Sequence, residues 1–133
     1  MNADHIKHLE LLQGIISRMA GNSFLIRGWS VTLVSALFAL AANGSDRSFV
    51  VVSYFPCVIF WLLDAYYLSQ ERKFRSLYNS VRLAESTTFD METKNTAAAR
   101  DSWACSFLSP TLALFHGTII AVVSIVMTVL RPQ

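Results

Sequence analysis

An all-α integral membrane fold with three transmembrane helices is what this chain predicts, and three observations predict it. Uncharged apolar runs cover residues 29–42, 49–63 and 111–130, at 14, 15 and 20 residues. Hydrophobic residues make up 53% of a 133-residue chain, more hydrocarbon than a soluble domain of this size encloses. Lysine and arginine are also spread unevenly around the runs, although the net charge is only +2.

Each span follows from local sequence. The third run alone meets the ~20 residues needed to cross ~30 Å of lipid tails. Ser109-Pro110 starts it, the serine as cap and the proline at the first helical position, where a missing N–H costs nothing. That gives a span over 110–130. The first run extends back through Phe24, Leu25 and Ile26 to cover 24–42 and then contains Arg27. The second extends forward through Ala65, Tyr66, Tyr67 and Leu68 to cover 49–68 and then contains Asp64. A cleavable leader ending at Ala39-Leu40-Ala41 is not expected, because roughly 27 residues of patterned sequence precede the run, unlike a short basic signal.

Residues 4–20 place Ile6, Leu9, Leu12, Ile16, Met19 and Ala20 on one arc, with Lys7, Glu10, Gly14, Ser17 and Arg18 opposite. This predicts an amphipathic helix at the headgroup boundary or beneath the bundle, with Gly21-Asn22-Ser23 as the break that turns the chain into the membrane. The second span is expected to run on as a helix to about residue 85, because residues 71–82 lack Gly and Pro and repeat Phe74, Leu77, Tyr78 and Val81. That strip, with Trp103 nearby, is the expected partner surface. Residues 96–108 read as a short interfacial helix, with Ala97–Ala99 favouring helicity and Trp103 as its anchor. The whole forms a single membrane domain over 1–133, with no segment left for a separate catalytic unit.

Orientation follows cations in short loops. Lys7, Arg18 and Arg27 precede the first run, and Arg72, Lys73, Arg75, Arg82, Lys94 and Arg100 lie between the second and third. Only Arg47 and Arg131 fall on the other side. A multi-pass protein of the cell inner membrane is expected, with its N-terminus and long loop cytoplasmic and its C-terminus periplasmic.

Asp64 and His116 are the ionisable residues best placed inside the membrane, where an acid costs ~2.5–3.5 kcal/mol on insertion scales and needs a partner. Asp64 pairs with His116 or with Arg27; sequence leaves both open, and leaves His116 the simpler option of a neighbouring Ser or Thr. Such a pair either ties helices together or lines a polar, proton-sensitive path. Small residues recur as Gly28, Thr32 and Ala36 on the first span and as Ala113, Gly117, Ala121, Ser124 and Thr128 on the third. These suit close helix packing in lipid, within one chain or in a homo-oligomer.

Catalysis is not expected, since the chain has no phosphate loop, nucleophile elbow or paired carboxylates on one helix. No cofactor or metal is expected either: Cys57 and Cys105 lack further ligands at metal spacing and read as small apolar filler without a disulfide. The run Arg72-Lys73-Arg75 fits anionic headgroups better than nucleic acid, because it adjoins a span and Glu71. The expected partners are the lipid bilayer, further copies of the chain and a cytoplasmic protein.

The segments RMAGNSFLIRGWSVTL (18–33) and LDAYYLSQERKFRSLY (63–78) resemble those of small bacterial inner-membrane proteins, some from antiphage gene neighbourhoods. The resemblance implies a bacterial inner-membrane location and a defence role, in which a small bundle disrupts the membrane once a cytoplasmic partner senses infection. It assigns no chemistry to particular residues.

Overall fold

The computed structural model describes residues 2–44, 48–86 and 88–129, apart from the side chains of Asn43 and Arg100. Four α-helices account for most of it: α1 (Ala3–Gly44), α2 (Ser48–Leu83), α3 (Trp103–Phe107) and α4 (Pro110–Val129). A single 3-10 turn, Ala99–Asp101, precedes α3, and no strand occurs among the described residues. Three helices, α1, α2 and α4, are long and apolar enough to cross a membrane. At ~1.5 Å per residue α4 is ~30 Å long, one hydrocarbon thickness, whereas α1 and α2 exceed it by roughly 24–33 Å.

The helices form an antiparallel hairpin with α4 laid against it. α2 is the common element, in contact with α1 along its length and with α3 and α4 on another side. One apolar cluster, Val34, Ala41, Val50, Cys57 and Val123, joins all three long helices toward the α1–α2 turn. A second, Leu12, Leu77 and Val81, joins α1 to α2 at the other end, with Leu9, Phe74, Tyr78 and Met91 around it. Along the three long helices many large apolar side chains point outward: Phe24, Phe55 and Leu114 are each more than 70% exposed. Such a surface suits an apolar solvent, as lipid provides, better than water.

Two expectations at the N-terminal end are corrected. Gly21-Asn22-Ser23 does not break the chain, because α1 runs through it without interruption. The buried residues of α1 explain why: His5, His8, Leu12, Ile16, Ser23, Ser30, Val34 and Ala41 recur every three, four or seven positions, so one seam faces α2 throughout. A helical glycine costs only ~1 kcal/mol relative to alanine, less than ending a helix and leaving its terminal N–H and C=O groups unpaired beside lipid. The helix over 4–20 is likewise not a separate element but the first part of α1. Its Leu12 and Ile16 are buried, and Leu12 packs against α2, while Ile6 at the edge of the predicted arc is 47% exposed.

The strip Phe74, Leu77, Tyr78 and Val81 is therefore not an open partner surface: Leu77 and Val81 are buried against Leu12, and Phe74 and Tyr78 pack around them. The extension of α2 itself ends at Leu83, close to the expected position. Residues 96–108 do not make one helix either. Ser102 adopts an extended conformation, ψ 155°, dividing the 3-10 turn from α3, and its Oγ accepts from the Cys105 N–H at 3.3 Å to start α3. Buried Asp101 fixes the turn by accepting from Ser76 Oγ and from the Ala98 N–H, while its own carbonyl accepts from Ser69 Oγ. These are three anchors to order one turn, and alanine propensity was too weak a guide to them.

Lys7 and Arg18 sit on the half of α1 that packs beside Arg72, Lys73, Arg75 and Arg82 on α2, at one end of the hairpin. Arg47 and Arg131, expected at the opposite end, lie outside the described residues.

Candidate functional site: a buried carboxylate joining three helices

Asp64 lies on the α1-facing side of α2 and is fully buried. Ser23 and Arg27, four residues apart on α1, project from one helical face toward it. Ser23 Oγ donates to Oδ1, and Arg27 Nε donates to Oδ2 at 2.8 Å. From α4, His116 Nε2 lies 2.8 Å from the same Oδ2. One carboxylate thus accepts from both neighbouring helices, and the two partners that sequence posed as alternatives bind it together. His116 takes the carboxylate rather than a neighbouring hydroxyl.

Aromatic rings enclose this knot. The His116 ring stacks on Trp61 at 5.9 Å and meets Phe115 edge to face at 5.1 Å; the Arg27 guanidinium lies 5.7 Å from the Phe115 ring centre. Trp61 continues the stack to Phe107 at 4.4 Å and donates its indole N–H to the Phe107 carbonyl at 3.0 Å. Trp103 lies on the same side, 45% exposed, with its N–H directed at the Leu62 carbonyl. These contacts hold α3 and the start of α4 against α2 at the level of the carboxylate.

The chemistry open to this arrangement is electrostatic. The bond to a carboxylate makes Nε2 the donor of the His116 ring, and Nδ1 is buried without a partner among the described residues. The hydrogen-bonded chain therefore ends at His116. Within the knot the Arg27 cation is paired with the Asp64 anion, which a low-dielectric site tolerates better than a lone charge.

The small residues of the spans divide. Ser124 is used within the chain, its Oγ 2.9 Å from the Tyr54 hydroxyl. Gly28, Thr32 and Ala36 are exposed on α1, and Ala121 and Thr128 on α4. Gly117 and Ala113 are half-buried. A Cβ built on Gly28 or Gly117 would meet nothing within 4 Å. Cys57 belongs to the apolar cluster near the turn, and Cys105 is exposed on α3.

Sequence reasoning missed Ser23, read as part of a break, and Asp101, within the stretch read as a short helix. It also missed buried His5 and His8, the latter 2.9 Å from the Asp90 carbonyl through Nε2. The 3.5-residue spacing shared by His5, His8, Ser23 and Ser30 with the apolar seam was the available signal. No protein-family model, curated protein or solved structure matches the chain. These features define a class: an all-helical chain with three candidate spans, a two-helix stalk made by the N-terminal part of α1 and the C-terminal part of α2, and an ionic knot where the stalk meets the spans.

Proposed function

We propose that the chain is a non-enzymatic membrane effector that self-associates and permeabilises or perturbs the bacterial inner membrane, with antiphage defence as its setting. The observation that carries this reading is the unused small face of α1. Gly28, Thr32 and Ala36 are exposed, and the space over Gly28 is empty. In lipid such faces admit a second helix closely, and no hydrophobic gain comes from burying them against the same chain.

The stalk supplies the input. α1 and α2 each pass unbroken from the stalk into the span, so a load on the stalk reaches the ionic knot through rigid helices. On this reading the stalk is cytoplasmic and the C-terminus periplasmic, with nine of eleven cations on the inner side. An alkaline phosphatase fusion at Gln133 is expected to be active, and an inactive one reverses the orientation.

Two measurements test the effector itself. Triggered expression is expected to discharge a potential-sensitive dye, and cells that stay fully polarised refute pore formation. Gly28→Leu is expected to leave the single-chain fold intact and to weaken self-association about tenfold in detergent. Unchanged association would remove that face from the interface.

A membrane adaptor is the second reading, favoured by the polar cleft of Arg72, Arg75, Ser76, Asn79 and Asp101 on the stalk. A soluble protein retained by the stalk without any current would support it. Conductance from the purified chain alone in liposomes would support the effector.

A further inference from the structure

α1 and α4 both pack on α2 but stand apart from each other over part of their length, leaving an apolar groove of about 710 Å³ between them. Val31, Leu114, Phe115, Thr118 and Ile119 line it, and Arg27 is its one charged residue. The groove starts at Pro110 and Thr111, the first residues of α4, and runs ~13 Å along that helix toward the opposite leaflet. Its size and lining suit the upper part of an acyl chain.

Arg27 makes the groove selective. Its partner Asp64 is wholly buried on the α2 side, while the Arg27 side chain keeps 26% of its surface exposed. An occupant of the groove therefore meets the cation and not the anion. Asp64 through Nε and the Phe115 ring fix the guanidinium in place, so little side-chain entropy is lost when a second anion approaches its outer edge. Arg27 lies about one helical turn inside the start of the first span, within side-chain reach of the phosphate of a lipid in the nearer leaflet.

We propose that this groove is a binding site for one anionic phospholipid of the leaflet on the stalk side, its phosphate on Arg27 and an acyl chain along Leu114, Phe115 and Thr118. The site is independent of pore formation and stands or falls separately. The occupant would cover the exposed edge of Arg27 in the ionic knot.

Native mass spectrometry of the full chain, released from mixed micelles holding equal phosphatidylglycerol and phosphatidylcholine, tests it. One phosphatidylglycerol is expected to remain per chain, favoured about fivefold over phosphatidylcholine. The double variant Arg27→Gln/Asp64→Asn, which leaves no lone charge, is expected to bring that ratio to about one. Leu114→Trp, at an outward position that does not disturb the fold, is expected to abolish retention of both lipids by filling the groove. Equal retention of the two lipids by the native chain overturns the proposal. So does an undiminished adduct in Leu114→Trp, or a lipid-free dimer whose formation Leu114→Trp blocks.

Discussion

Replacing Asp64 with Asn is expected to destabilise the chain by about 3–5 kcal/mol, the usual cost of removing one member of a buried ion pair. The figure is large because the lost carboxylate serves three donors at once: Ser23, Arg27 and His116. Arg27 then remains beside lipid with its charge uncompensated. Asparagine keeps the size and one carbonyl, so cavity formation contributes little and the effect reports the charge. Unfolding in mixed micelles of rising dodecyl sulfate content, followed by circular dichroism, gives the number. The double variant Arg27→Gln/Asp64→Asn is expected to recover much of the loss. A single-variant loss below about 1 kcal/mol, or no recovery in the double, would make the knot energetically minor.

Leu12→Ala is expected to cost about 2–5 kcal/mol, as for other fully buried leucines. Leu12 has no exposed surface and packs on Leu77 and Val81 in the small cluster that closes the stalk. The loss is local. Amide hydrogen exchange is expected to accelerate on α1 before Gly14 and on α2 beyond Phe74, while the spans keep their protection. Uniform acceleration across all three helices would mean that stalk and spans unfold as one unit. The comparison matters for the effector reading, because a variant whose stalk alone opens loses the input while keeping the spans folded.

The spans were legible in the sequence because run length and charge exclusion act on each helix alone. The pairing of α1 with the extension of α2 was not. Its seam is built partly from His5, His8, Ser23 and Ser30, residues a hydropathy arc leaves out, and it passes through a Gly-Asn-Ser triplet that reads locally as a turn. Tertiary packing overrode that local signal, as it commonly does where a glycine costs less than exposed backbone. Of the site, the intramembrane cost of Asp64 pointed to His116 and Arg27 without knowledge of the fold. Ser23 became visible only once α1 was seen to continue, because its contact with Asp64 spans 41 residues of sequence.

The position of Arg27 bears on biosynthesis. Asp64 follows it by 37 residues, and His116 follows Asp64 by a further 52. At a translation rate of about 5–20 residues per second, Arg27 is added to the chain roughly 2–7 s before its counter-ion exists. The spacing therefore favours release of the first two helices together as an ion-paired hairpin, with the last helix docking onto them afterwards.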